Sequence, residues 1–458
     1  MGRERLDAYL NQAGAQIRWR RARKSLLQEL GHHVADQELA YRAEGAPEDE
    51  ALDRAVAEMG DPVEVGRALD RLHRPQTRWE LMAFTVLLLA LGLAAQQLLL
   101  RGEGLDGCLY LSRQIGGILA GAALFVAAWL SDYTLLLHRT WSAVLCPLGL
   151  TVLGLASIPF LAVHYTGRLT PSVPLYLCLL LPAAYALLLC RLRGRGWLSV
   201  LLLGLSAPLL TLPALLLPSL TAALVSCGSM LLVLGGGVWS GWFSCGRLKG
   251  LLCAWGVPGS LAALCLAALA RTSPFVSRRW EMFLHPELDP LGYGWLYLHL
   301  RSGDAVGYDY AGNFDLMLSE LSRRPGLGRW VFLLAGLLLA LFAILALHRV
   351  LQLRSTSGKL VALGAFWPLA LQAALFVLYN LGWSPLPPLS LPFLSYGTGY
   401  MAVNLLLAGV LMSVLRMDAL ARDGTPGGLN LRSLPEDFTL PLPGGALHIS
   451  WKRRGPAN

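Results

Sequence analysis

The sequence predicts an all-α, polytopic membrane protein of about ten transmembrane helices, preceded by a small helical domain. Two observations predict this class. Hydrophobic residues make up 55% of the 458 positions and charged residues only 15%, which is too little charge for a soluble protein of this size. Apolar runs of about 20 residues, the length that crosses a bilayer, recur along the chain.

The first 77 residues form a separate domain in this prediction, because they are charged throughout. Residues 1–78 hold 13 Lys/Arg and 14 Asp/Glu. A signal peptide would carry an apolar core behind a short basic flank, so we expect this prefix to stay in the cytosol. Apolar residues at helical spacing predict one long helix up to Gly45, a second helix ended by Gly60-Asp61-Pro62, and a third that stops before Pro75.

Residues 78–416 contain ten apolar runs that predict membrane spans. The predicted spans are 80–100, 114–137, 141–163, 173–191, 197–217, 219–240, 249–271, 327–348, 359–382 and 393–416. With the prefix inside, the short inner loops hold nine Lys/Arg and the short outer loops hold three. The positive-inside rule therefore puts both termini in the cytosol. It leaves 272–326 as a large extracellular loop and 417–458 as a cytosolic tail that we expect to be disordered.

The net charge of +9 points to membrane lipids rather than to nucleic acid as the partner. The basic residues are dispersed and form no aromatic-basic face, which argues against nucleic-acid binding. Basic loops beside membrane spans suit anionic headgroups. The eight cysteines are scattered with no CxxC pair, which favours small buried side chains over a metal site.

Three segments carry the functional signal. Leu391-Pro392-Phe393-Leu394-Ser395-Tyr396-Gly397 stands between the last two spans. Backbone interrupted by Pro and Gly at membrane depth is tolerated only where protein or water satisfies its polar groups. The other two segments lie in the outer loop: Arg279 to Gly294, and Asp315-Leu316-Met317-Leu318 followed by Gly326. The loop is too aromatic to be disordered.

These segments resemble the shape, elongation, division and sporulation (SEDS) family, which includes RodA, FtsW and SpoVE. Leu391–Gly397 is similar to the family's LPFxSYGG, Arg279–Gly294 to its R-x3-FLxPxxDPxGxGY, and the Asp315 segment to its DFIFxxxxEExG. The prefix resembles a permease-prefix domain in its Met59-Gly60-Asp61-Pro62 turn and its His73-Arg74-Pro75 end. The resemblance implies a ten-span fold over about 80–458. It also implies a glycosyltransferase that polymerises lipid II into peptidoglycan at the outer face of the bacterial cytoplasmic membrane.

The family's catalytic carboxylate falls on Asp315. By resemblance, this side chain is the general base that takes the proton of the attacking sugar hydroxyl; the alternative is that Asp315 is a helix N-cap. Arg278 or Arg279 is expected to contact the pyrophosphate, whose charge needs Arg forks or a divalent cation. The alternative for Arg279 is snorkelling at the membrane interface. The remaining candidates for substrate binding are Asn380, similar to the Asn of the family's NxGM, and Ser395, Tyr396 and Gly397. No residue is assigned as a metal ligand.

Several family positions differ in this chain. Thr170-Pro171-Ser172-Val173 stands where the family has QPSE, Tyr176 lies in the neighbourhood of the family's Lys, and Thr398 replaces the second Gly of SYGG. We expect Val173 to face the inside of the bundle, where a lone Glu would be a costly unpaired charge. Three functions therefore stay open. They are a glycosyltransferase paired with a class B penicillin-binding protein, a catalytically reduced scaffold or regulator of envelope assembly, and a polyprenyl-lipid transporter. Few charges lie inside the spans, which argues against a proton-coupled transporter.

Overall fold

The structure is a computed structural model. It describes residues 2–73, 77–100, 107–138, 140–164, 173–217, 219–272, 274–302, 314–324, 326–418, 437–442 and 445–450. The predicted all-α membrane domain and the number of spans are confirmed, because ten segments among these residues are long and apolar enough to cross a bilayer.

The prefix is a bundle of four short helices, not three. They are α1 (Gly2–Gln16), α2 (Arg20–Ala43), α3 (Glu48–Glu58) and α4 (Pro62–His73). The predicted long first helix is wrong because the chain turns at Trp19, whose backbone is extended. Arg23 donates to the Ile17 carbonyl at 2.7 Å and the Arg18 amide donates to Asp70 at 2.9 Å, which hold this break in place. Trp19 also packs against the core of the membrane domain.

The membrane domain begins with seven spans. They are α5 (Trp79–Leu100), α6 (Gly107–Leu130), α8 (Thr140–His164), α9 (Val173–Arg191), α10 with α11 (Trp197–Leu210 and Leu212–Leu216), α12 (Leu220–Trp239), and α13 with α14 (Arg247–Leu251 and Val257–Thr272) joined by a π turn at Leu252–Gly256. The short helix α7 (Tyr133–His138) follows α6. The second span ends seven residues before the predicted 137, since Asp132 accepts from the Thr134 amide at 2.9 Å and starts α7.

The loop predicted at 272–326 is mostly helical where it is described. It contains α15 (Pro274–Leu284), α16 (Trp295–Ser302), α17 (Met317–Arg323) and 3-10 turns at Pro286–Leu288 and Phe314–Leu316. Its residues 303–313, which include Asp304 and Asp309, lie outside the described part. The last three spans are α18 (Leu327–Leu351), α19 (Thr356–Asn380) and α20 (Thr398–Arg416).

The core of the membrane domain is built around α9 and α19, which contact each other and both α12 and α20. Small residues allow these close approaches. An added Cβ at Gly364 of α19 would lie 2.6 Å from the Pro182 carbonyl of α9, and one at Gly409 of α20 would lie 2.6 Å from the Phe125 carbonyl of α6. Where lipid offers no hydrophobic contrast, such packing of small residues is the main attraction between spans.

The tail contains a β-hairpin, contrary to the expected disorder. Strands β1 (Asp437–Leu442) and β2 (Gly445–Ser450) pair antiparallel, with Asp437 opposite Ser450. The signal was present in the sequence: Phe438, Leu440 and Leu442 alternate with other residues at the two-residue period of a strand. The Gly and Pro content of the whole tail obscured it.

Candidate active site

Residues 391–397 form a turn between α19 and α20, and this turn is the base of the candidate site. Phe393 has φ +67°, the only positive φ at a non-glycine among the described residues, and Gly397 has φ +143°. The second value lies in a region that favours glycine, so the Gly in this position is required by the backbone. The tenth span therefore begins at Thr398 and not at the predicted 393.

Ser395 holds this turn together. Its hydroxyl accepts from the Leu391 amide at 2.9 Å and donates to the Leu391 carbonyl at 3.2 Å. The side chain is buried. We therefore assign Ser395 to the shape of the turn, although its sequence suggested a contact with substrate.

Two glutamines from other spans satisfy the backbone of the turn. Gln96 of α5 donates to the Leu394 carbonyl at 2.9 Å. Gln114 of α6 donates to the Ser395 carbonyl at 3.4 Å and accepts from the Gly397 amide at 3.1 Å. The expected compensation for interrupted backbone at membrane depth is thus provided by protein. The sequence reasoning missed these glutamines, and their only signal was a polar amide inside an apolar run.

Asn380 fastens the Asp315 segment to the end of α19. Its amide nitrogen donates to the Asp315 carbonyl and to the Phe376 carbonyl, each at 2.9 Å. Its amide oxygen accepts from the Ser319 amide at 3.0 Å. Asn380 is only 5% exposed. It acts on the backbone that carries Asp315, so the predicted role in substrate binding becomes one of positioning.

An aromatic cluster joins the Asp315 segment to the turn. Phe314 stacks on Tyr396 with ring centroids 4.9 Å apart and planes 28° apart. Tyr110, at the start of α6, lies 5.4 Å from Tyr396 and 5.9 Å from Phe314. Tyr396 therefore fixes the residue immediately before Asp315, and this contact gives the sequence-predicted tyrosine a definite place in the site.

Asp315 is exposed to solvent although protein surrounds it closely. Removal of water by the surrounding protein raises the pKa of the Asp315 carboxyl from 3.8 to about 6, because desolvation disfavours the charged form. The N-cap of α17 is Leu316, so the alternative of Asp315 as the N-cap of that helix is not supported.

A second aromatic pair lies within range of the Asp315 charge. Tyr176 in the first turn of α9 meets Tyr400 in the first turn of α20 edge to face, with centroids 4.8 Å apart. Tyr400 is within electrostatic range of both Asp315 and Tyr176. Sequence reasoning noted Tyr176 only as a departure from the family pattern and did not identify Tyr400.

The two candidate arginines lie on α15. Arg278 is exposed, pairs with Asp289 at 3.4 Å and lies over the Tyr293 ring at 5.3 Å. Arg279 is half-buried and close enough for its charge to act on the Tyr297 phenol, whose pKa is raised by burial. The described contacts of Arg278 are thus within the loop.

Arg301 connects this loop to the site. It donates to the Phe283 carbonyl of α15 at 2.7 Å and to the Gly382 carbonyl, two residues beyond Asn380, at 3.0 Å. Its guanidinium also lies over the Trp383 ring at 5.4 Å. The end of α15 is therefore tied to the end of α19, which brings the helix that carries Arg279 to the same end of the bundle as Asp315.

The described part of the chain places no group of three or more His, Cys, Asp or Glu side chains where they could hold a metal ion. Asp315 is thus not part of a ready-made ligand set among these residues, and we assign no step to a cation.

Comparisons with known proteins place these features in a family. The sequence model of the FtsW/RodA/SpoVE family, described as Cell cycle protein, matches residues 312–419. A probable peptidoglycan glycosyltransferase FtsW from Trichlorobacter lovleyi is 26% identical over 344 residues, which cover 68% of this chain and 84% of that protein. The protein of the same description from Nitrosomonas europaea is 25% identical over 356 residues, 70% of this chain and 87% of its own length.

A solved structure shares the fold. One of its chains matches with a TM-score of 0.57 at 23% identity, covering 76% of this chain and 99% of its own, in work described as "Structural coordination of polymerization and crosslinking by a peptidoglycan synthase complex". The matched family region runs from the Asp315 segment through α18 and α19 to the end of α20. It contains the hydrogen bonds of Asn380 to the Asp315 segment and the turn at 391–397. With its ten candidate spans and these motifs, the chain is similar to the FtsW/RodA/SpoVE family of polytopic membrane proteins.

Proposed function

We propose that this protein is a peptidoglycan glycosyltransferase that polymerises lipid II, with Asp315 as the general base. The observation that carries the proposal is the Asp315 carboxylate itself. It is exposed to solvent on a segment fixed by Asn380 and Tyr396, and its pKa of about 6 leaves it mostly ionised at neutral pH yet more basic than an ordinary carboxylate. A base with a pKa near the working pH is the efficient choice for proton transfer.

The proposed reaction balances with residues of this chain. The 4-hydroxyl oxygen of the acceptor sugar bonds to the anomeric carbon of the donor, and its proton passes to the Asp315 carboxylate. The bond between that carbon and the pyrophosphate oxygen breaks, and the electron pair leaves with undecaprenyl pyrophosphate. Arg279 on α15 is the candidate to neutralise the leaving charge, because a guanidinium makes strong, charge-assisted hydrogen bonds to phosphate oxygens.

The proposal also fixes the direction of the chain in the membrane. Ten crossings would put the prefix and the tail on the same side. The excess of basic residues in the loops on that side supports the cytosol as its location. The site is built at the opposite end, because α15–α17 and the starts of α6, α9 and α20 all meet there. Lipid II would then be polymerised at the outer face, where a class B penicillin-binding protein could cross-link the product.

The test is polymerisation of labelled lipid II by the purified full chain, alone and with a class B penicillin-binding protein. We expect polymer from the wild type and a loss of about 10²- to 10⁴-fold from Asp315→Asn, the usual contribution of a general base. Arg278→Ala is the control for Arg279→Ala, since only the second should weaken use of lipid II. Addition of EDTA tests the requirement for a divalent cation.

A catalytically reduced scaffold is the second candidate, favoured by Val173 and Tyr176 at positions where the family carries a Glu and a Lys. A wild type that binds a transpeptidase but makes no polymer with it would establish this candidate. Movement of labelled lipid II across reconstituted vesicles without polymer would instead identify a transporter.

A further inference from the structure

The mechanism above does not use the Tyr176–Tyr400 pair, yet the two rings are closely packed. The rings meet at 85° with centroids 4.8 Å apart. An added Cβ at Gly399 would lie 2.3 Å from the Tyr176 ring. A larger side chain at position 399 would therefore displace Tyr176, so the contact between Tyr176 and Tyr400 depends on Gly399.

The pair also lies at the end of the bundle that carries Asp315. Both tyrosines are half-buried, in the first turns of α9 and α20, and Tyr400 is within range of the Asp315 charge. Tyr396, which directly precedes Gly397 in the sequence, stacks on Phe314. Aromatic rings thus contact both flanks of the segment 396–400 at the end of the bundle that carries Asp315.

The chemistry of a phenol fits one ligand class, a sugar. The CH groups of a sugar ring pack on an aromatic face, and its hydroxyls pair with a phenol that both donates and accepts hydrogen bonds. An edge-to-face contact covers the edge of one ring and one face of the other, so it does not itself cover the remaining faces. A phenol is neutral near pH 7, so it orients a hydroxyl without taking the proton that a carboxylate removes.

We propose that Tyr176 and Tyr400 bind the acceptor sugar of lipid II and hold its 4-hydroxyl against Asp315. This inference rests on the proposed function and adds the acceptor-binding residues to it. Tyr400 makes the polar contact with the sugar, and Tyr176 fixes the Tyr400 ring. Gly399 is required because it admits Tyr176.

The test separates binding from chemistry. Binding of labelled lipid II is measured on the full chain in nanodiscs with the Asp315→Asn background, which prevents turnover. We expect Tyr400→Phe to weaken binding about three- to tenfold, the effect of one lost hydrogen bond, and Tyr400→Leu to weaken it further by removing the ring. Tyr185→Phe is the control, because it removes a phenol that donates to the Leu203 carbonyl at 2.9 Å elsewhere in the bundle.

Polymerisation assays without the Asp315 change give the second readout. Tyr400→Phe should raise the KM for lipid II and leave the pH midpoint of the rate unchanged, because the phenol is not the base. Gly399→Ala should weaken binding as Tyr176→Leu does, and the two changes combined should weaken it no further than either change alone. Thermal unfolding of each variant identifies any that simply fail to fold.

The outcomes are distinguishable. Equal lipid II affinity for wild type, Tyr400→Phe and Tyr400→Leu, all folded, overturns the inference even if the wild type polymerises. A wild type that binds lipid II but makes no polymer removes the proposed glycosyl transfer, and the affinities of the variants then decide the binding role alone. A wild type that neither binds nor polymerises lipid II overturns both.

Discussion

The pH dependence of polymerisation tests the environment of Asp315 directly. With a pKa of about 6, this carboxyl is ionised in about 9% of molecules at pH 5 and about 91% at pH 7, so the rate should rise about tenfold between them. An Asp with its ordinary pKa of 3.8 would already be ionised in about 94% of molecules at pH 5, and the rate would change by less than about 10%. The assay is kcat/KM for labelled lipid II in a buffer series of constant ionic strength.

Controls separate Asp315 from other titrating groups in the loop. Histidine side chains as a class titrate in the same pH range, so they have to be excluded as the source of the profile. If Asp315 is the source, His285→Gln and His299→Gln should keep the midpoint of the profile. A rate that is flat between pH 5 and 7 would refute the raised pKa of Asp315. A midpoint that moves with either histidine variant would assign the profile to that histidine.

The same pKa has a consequence for stability. Because the folded-state pKa lies above 3.8, the folded protein favours the protonated carboxyl. The contribution of Asp315 to stability is therefore fully present below about pH 4 and is lost as the pH rises through about 6. Asp315→Asn should unfold at a higher temperature than the wild type at pH 7 and at the same temperature near pH 4. Solvent access to Asp315 keeps the difference small.

Three further predictions follow from local geometry. Gly117→Ala should lower the unfolding temperature, since its Cβ would lie 2.7 Å from the Thr398 Cα, whereas Gly116→Ala, with nothing within 4 Å, should be neutral or slightly stabilising. Asn380→Ala should lower the free energy of unfolding, measured by chemical denaturation, by about 1–3 kcal/mol and should also lower kcat. Asn404→Ala, which loses the buried hydrogen bonds to Gln372 and Ser390, should also lower the free energy of unfolding but should leave kcat close to that of the wild type. Val173→Glu should leave the unfolding temperature unchanged, because Val173 is 44% exposed, and a fall of several degrees would contradict its exposed position.

The sequence predicted what depends on length, composition and local pattern. Ten spans follow from ten apolar runs, and the interrupted backbone at 391–397 follows from its Pro and Gly. The start of the tenth span was nevertheless predicted at 393, five residues before Thr398. Asp315 was found at the end of the bundle through a motif. Each of these features is determined by residues that lie close together in the sequence, so it can be predicted without knowledge of long-range contacts.

Features that depend on the rotation of a helix could not be predicted. Val173 was expected inside the bundle, and this expectation was wrong. Its helix α9 is apolar on all sides, so no amphipathic pattern distinguishes the face toward protein from the face toward lipid or solvent. Tyr176, one turn further along, was likewise unassigned, because its partner Tyr400 is more than 200 residues away and nothing local records their contact.

The candidate site is assembled largely by such distant contacts, and this links its chemistry to its fold. Gln96, Gln114 and Tyr176 come from α5, α6 and α9, while Asn380 and Tyr400 come from α19 and α20. Each of these residues belongs to the Tyr176–Tyr400 pair or fixes either the turn at 391–397 or the segment that carries Asp315. Asp315 therefore reaches its position only when the ends of five helices have met. A variant that loosens any of these contacts should lower activity before the bundle itself unfolds, since the spans keep their lipid-facing and interior packing while the site opens.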